Sequence, residues 1–101
     1  MKNSDVIWMT AAKARPGKEE QVRQALRDVA RAARTQPGCV EYQVVRSAED
    51  PAVTVNVERW ESNEHRDAFL DGPEVETFAS AIAGAFAESP QPLSYAVLDE
   101  A

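Results

Sequence analysis

Val22, Ala25, Leu26, Val29, Ala30 and Ala33 recur at the i, i+3, i+4, i+7 spacing that puts side chains on one face of a helix. Glu19 and Glu20 open this stretch, and Arg31 and Arg34 lie near its end, an order of charges that the helix dipole favours. Pro37-Gly38 stops it. Before it, residues 5–14 are rich in β-branched and aromatic side chains and read as a strand ended by Pro16-Gly17. After it, residues 39–46 read as a second strand, and residues 47–52, with Asp50-Pro51, as a hairpin loop. Residues 53–60 alternate with period two, which puts Val53, Val55 and Val57 on one face and Thr54, Asn56, Glu58 and Trp60 on the other. Ser62 or Asn63 can cap a short helix that runs to about Leu70. Gly72-Pro73 breaks the chain, and Pro73 suits the first turn of a further helix. That helix carries Val75, Phe78, Ala79, Ile82, Ala83 and Phe86 on one side, and Pro90 and Pro92 end it. Residues 93–98 read as a last strand. The order predicts an α+β ferredoxin-like βαββαβ sandwich with an antiparallel four-stranded sheet, as a single domain over residues 1–101.

Helices on one side of a four-stranded sheet cover one of its two faces. Val44 and Val45 point to opposite faces, as do Ile7 and Trp8, so the uncovered face is apolar too. Such a face is a partner site or an aggregation hazard, and two-fold pairing, sheet against sheet, is the simplest cover. A lone domain of this size buries only about 60–70% of the surface its unfolded chain exposes, which also favours a homodimer. The competing reading is a monomer whose helices and loops wrap more of the sheet.

The net charge of -6 repels phosphate backbones and anionic membrane surfaces, so neither nucleic acid nor membrane is expected as a partner. No segment approaches the ~20 apolar residues of a membrane span, and the apolar run Val6-Ile7-Trp8-Met9 is too short for a signal-peptide core. Cys39 is the one cysteine, which fits a reducing, cytoplasmic setting. Neither a dinucleotide fingerprint nor a phosphate loop is present. One His and one Cys do not make a typical zinc or non-haem iron site, so no metal and no cofactor is expected.

Three segments carry a family resemblance. They are Arg15-Pro16-Gly17-Lys18-Glu19-Glu20, Gln36-Pro37-Gly38-Cys39-Val40-Glu41-Tyr42 and Val57-Glu58-Arg59-Trp60-Glu61-Ser62. At these spacings the chain resembles the antibiotic biosynthesis monooxygenase family over roughly residues 5–98. The resemblance implies a dimeric α/β barrel, with a pocket in each subunit between sheet and helices. It also implies cofactor-independent oxidation of an aromatic quinol, anthrone or similar polyketide by dioxygen. In several members a third-strand asparagine lies four residues before a tryptophan, and here the matching pair is Asn56 and Trp60. Many members carry histidines that Ala68-Phe69-Leu70 and Gly72-Pro73-Glu74 lack, which argues against haem degradation and histidine-assisted deprotonation at those positions. A polar first-strand residue used by some anthrone oxygenases is matched by Thr10 alone.

On this reading Asn56 and Trp60, neutral N–H donors, stabilise the substrate oxyanion. Trp8, Thr10, Tyr42, Phe69, Phe78 and Phe86 are candidates for the substrate-binding wall. The structural reading of each stands beside the functional one. Trp60 and the other aromatics also suit the core. A buried Asn56 needs a partner in protein or ligand. His65 in Glu64-His65-Arg66-Asp67 reads as solvated, Cys39 as a small apolar filler, and Glu58, Arg59 and Glu61 as charges at a sheet edge or dimer rim. Two rival functions share the scaffold: an isomerase or decarboxylase that works without oxygen, and a ligand-binding or regulatory dimer without turnover.

Overall fold

The computed structural model describes residues 4–99. Its elements run β1 (Val6–Lys13), α1 (Glu19–Arg34), β2 (Cys39–Arg46), β3 (Val53–Trp60), α2 (Asn63–Leu70), α3 (Pro73–Ala81) and β4 (Gln91–Ala96). The strands form one antiparallel sheet in the order β2-β3-β1-β4, the α+β ferredoxin-like arrangement that the element order predicts. Strands β2 and β3 and helix α2 begin and end where the sequence pattern puts them. Ser62 is the cap of α2, its hydroxyl accepting the His65 backbone N–H at 3.2 Å.

The C-terminal third differs. The apolar spacing from Val75 to Phe86 predicts one long helix, but α3 stops at Ala81. Gly84 adopts φ +75, a left-handed turn that glycine takes without steric cost. The chain then lies alongside the end of β1. Ala85 accepts from Arg15 N–H at 2.8 Å, and Ala87 N–H donates to Lys13 at 2.8 Å. Phe86 therefore sits in a bridge opposite Ala14 rather than on a helix. The last strand correspondingly starts two residues earlier than its apolar run, at Gln91, and ends at Ala96.

The apolar stripe of α1 lies on the sheet, and Val22, Leu26 and Val29 join Tyr42, Trp60, Phe69 and Ile82 in one core cluster. Burying each such aliphatic side chain contributes about 1.5–3 kcal/mol. The distribution on β3 inverts what a sheet with one wet face shows. Thr54, Asn56, Glu58 and Trp60 lie under the helices, while Val53, Val55 and Val57 face away. Cross-strand neighbours extend the outer apolar surface: Met9 opposite Val57 and Leu93, Val45 opposite Val55, and Ile7 opposite Tyr95. Met9, Val45, Leu93 and Tyr95 are exposed.

Glu58 corrects the expectation of an edge or rim position. β3 is an interior strand, the parity of Glu58 turns it inward, and it is 3% exposed. Arg59 on the same strand faces outward and pairs with Asp5, Nε to Oδ2 at 2.9 Å. The sheet has two margins. At β2 the Arg34 guanidinium Nε donates to the Tyr42 carbonyl at 2.9 Å. At β4, Pro92 stands opposite Thr10. Among the described residues no helix is long and apolar enough to cross a membrane.

Candidate active site

Strand parity brings Asn56 and Glu58 to the inner face of β3, with Thr10 of β1 and Tyr42 of β2 beside them in the register. Helices α2 and α3 roof this row with Arg66, Phe69, Leu70, Val75 and Phe78, and Pro90 and Pro92 close one side. Between floor and roof lies a cavity of about 350 Å³. That volume lies in the range of small-molecule sites, and so does the composition, an apolar wall with a few polar groups.

Two polar pairs stand on the wall. Asn56 Nδ2 donates to the Tyr42 hydroxyl at 3.1 Å. The hydroxyl oxygen thus accepts from the amide and keeps its own proton to donate. Burial, and then the negative charge of Glu58, push the Tyr42 phenol well above its ordinary range, so it stays an O–H donor. Edge-on contact with Phe69, ring centroids 6.5 Å apart, fixes the ring.

The second pair is an ion pair. Arg66 donates from Nε to Glu58 Oε1 at 3.1 Å and from Nη2 to Oε2 at 3.4 Å. Both side chains are nearly buried, at 10% and 4% exposed. The Trp60 indole N–H donates to the same Oε1 at 2.9 Å. Behind the guanidinium lies the Trp8 ring, its centroid 4.1 Å from Arg66 Cζ, and the Trp8 N–H is tied to Asn63 Oδ1 at 3.0 Å. Arg66 is therefore held between a carboxylate and an aromatic face. A charge so deep in the protein needs these partners.

Of the residues singled out from sequence, Thr10, Tyr42, Asn56, Phe69 and Phe78 line the cavity together. Three do not. Trp60 is completely buried beneath Phe69, and its N–H is spent on Glu58, so it supports the floor and does not face the space. Trp8 backs Arg66 from outside the lining, and Phe86 belongs to a separate cleft beside Arg15 and Glu88. His65 is half-buried rather than solvated, its Nδ1 2.7 Å from the Ser62 hydroxyl. Sequence reasoning missed Glu58 and Arg66. The parity that groups Glu58 with Asn56 and Trp60 was available, but nothing in the chain shows α2 folding Arg66 back over β3.

A ferredoxin-like sheet whose helix-covered face holds a walled cavity with convergent polar groups defines a small-ligand scaffold, the class that hosts compact enzymes and binding modules. The family model for antibiotic biosynthesis monooxygenase matches residues 6–81, and the chain belongs to that family. Its structure is similar to that of a Nitrosomonas europaea protein assigned by name to the same monooxygenases, with TM-score 0.91 and 20% identity over 97% of this chain and 94% of that one. A Mycobacterium tuberculosis protein matches with TM-score 0.88 and 23% identity over 96% and 98%. A Deinococcus radiodurans protein, also assigned by name to these monooxygenases, matches with TM-score 0.85 and 22% identity over 95% of each chain. At these identities the likeness carries the fold alone. No curated protein matches the sequence.

Proposed function

We propose that the chain is a cofactor-independent oxygenase of an electron-rich phenolic ring system, such as an anthrone, and that it works as a homodimer. The observation that carries this reading is the pairing of Tyr42–Asn56 with Arg66–Glu58 on one largely apolar wall. A substrate anion can pass one electron to dioxygen, and the resulting radicals combine to a carbon-bound peroxide. That peroxide takes back a proton and loses water, so a methylene group and one dioxygen become a carbonyl and one water. The protein has to favour the anion. The Tyr42 O–H, positioned by Asn56, donates to the oxyanion, and the Arg66 guanidinium adds positive charge in a water-poor space. Glu58, the one carboxylate among the lining residues, takes the first proton.

Asn56→Ala and Tyr42→Phe are each expected to keep the fold and lower the oxygen-uptake rate on an anthrone by about 10²–10³. Unchanged rates in both would remove the oxyanion role. Glu58→Gln is expected to shift the onset of oxygen uptake upward, to the pH at which the substrate ionises by itself. Turnover under strict anaerobiosis would instead identify an isomerase or decarboxylase, and tight binding without turnover a ligand-binding module.

The homodimer rests on the outer face, where Met9, Val45, Val55, Val57, Leu93 and Tyr95 form an uncovered apolar surface. Val55→Lys at its centre is expected to convert a dimer to a folded monomer, read by sedimentation with circular dichroism as the folding control. A wild-type chain that sediments as a monomer at every concentration tested would refute this pairing.

A further inference from the structure

A second cavity lies at the β2 margin of the sheet, next to the active-site lining. It encloses about 500 Å³ and is walled by Arg23 and Arg27 of α1, Val44, Val45 and Arg46 of β2, and Thr54 of β3. Three arginines line this cavity in a chain whose net charge is -6. One carboxylate opposes them: Glu20 accepts from Arg23 at 3.0 Å and from Arg27 at 3.2 Å. Those hydrogen bonds, from Arg23 first and Arg27 second, hold the Glu20 carboxyl below its ordinary range. The pocket thus keeps a local positive excess within an acidic protein.

A second observation concerns the same wall. Thr54 is 3% exposed, and its hydroxyl is the one buried side-chain polar atom among the described residues with no hydrogen-bond partner. It stands directly across the ladder from Arg46, with both side chains on the inner face. Buried polar groups without a partner are rare, and a donor of this kind on a cavity wall suits a bound acceptor. The hydroxyl can donate to an acceptor that the arginines also attract. Several guanidinium forks and an O–H donor match the many acceptor oxygens of a phosphoryl group. Val44 and Val45 add apolar wall for an organic carrier.

We infer that the Arg23–Arg27–Arg46–Thr54 pocket binds the phosphoryl group of a small organic phosphate. The acidic chain repels a long polyanion, whereas a single small phosphate sees mainly the nearby arginines. The arginines and Thr54 lie on the helix side of the sheet and none of them lines the active-site cavity, so the site does not rest on the oxygenase reading; Val45 alone is shared with the outer face.

The probes are phenyl phosphate and inorganic phosphate, titrated by calorimetry and by thermal unfolding against sodium chloride at matched ionic strength. Saturable binding and a rise in melting temperature beyond the chloride control are expected, with phenyl phosphate binding more tightly. Thr54→Val keeps the side-chain shape and removes a hydroxyl that has no partner. It is expected to melt no lower than wild type in chloride, yet to bind phenyl phosphate roughly tenfold more weakly, as loss of a hydrogen bond to a charged group predicts. Arg46→Gln is expected to weaken binding at least as much. Inorganic phosphate binding as tightly as phenyl phosphate would overturn the organic carrier. No response to either beyond chloride, or a Thr54→Val protein with wild-type affinity, would overturn the site.

Discussion

Replacing Arg66 with methionine is expected to lower the unfolding free energy by about 3–5 kcal/mol, the usual cost of stranding one member of a buried ion pair. In a domain of this size that is a fall in melting temperature of more than about 10 °C. The size follows from where Glu58 sits. Its carboxylate is 4% exposed and is partnered by Arg66 and the Trp60 N–H. With Arg66 gone, the indole alone faces a full negative charge far from water. Trp8 also loses the cation over its ring. The double variant Glu58→Gln with Arg66→Met removes both charges and keeps a hydrogen-bond acceptor for Trp60. It is expected to recover more than half of the loss, because the pair as a whole contributes far less than either half left alone. Urea unfolding of the two single variants and the double variant closes the cycle. An Arg66→Met loss below about 1 kcal/mol would show that water reaches Glu58 and that the cavity floor is not dry.

Gly38→Ala is expected to destabilise the fold by roughly 2–4 kcal/mol, where Gly17→Ala costs only about 1–2 kcal/mol. Both glycines sit at positive φ, +82 and +85, so both substitutions carry the same backbone strain. They differ in what the new methyl group meets. At Gly17 it meets open space, whereas at Gly38 it lands on the imidazole ring of His65. The ring cannot easily step aside, since its Nδ1 is held at the Ser62 hydroxyl that caps α2. Glu61 N–H also donates to the Gly38 carbonyl at 2.8 Å, which fixes the turn against the end of β3. Gly38→Ala is therefore expected to push His65 and the start of α2 away from the turn, with a lowered melting temperature and a weakened Arg66–Glu58 pair as its signature. Combining it with His65→Ala is expected to restore all but the backbone part. Equal losses for Gly17→Ala and Gly38→Ala would show that the close packing on His65 contributes nothing.

The sequence carried the architecture well because its punctuation was local. Pro-Gly pairs, the Ser62 cap and the period-two run of β3 each act within a few residues, and the structure follows them. The same locality explains the failure after Ala81. The spacing of Ile82 and Phe86 continues a helical stripe, but Gly84 and the pairing of residues 85–87 with the end of β1 override it, and that pairing joins residues about seventy positions apart. The floor of the site was its most legible part, with Phe69 and Phe78 of the roof read from their apolar character. Thr10, Tyr42 and Asn56 share strand parity, which can be read along the chain. The roof depends on where α2 and α3 come to rest, so Arg66 gave no signal. Trp60 shows a third limit. Parity put it on the correct face but could not tell a side chain that lines a cavity from one that lies beneath it.

The two margins of the sheet carry a consequence for how copies of this chain can meet. An open strand edge invites further strands, and repeated addition leads to fibres without end. At one margin a guanidinium already occupies a main-chain carbonyl of β2, and at the other a proline has no N–H to offer a newcomer. Lateral growth is thus blunted on both flanks while the broad valine-rich surface stays uncovered. Strand-by-strand growth from either flank is therefore disfavoured even though the exterior of the sheet is greasy.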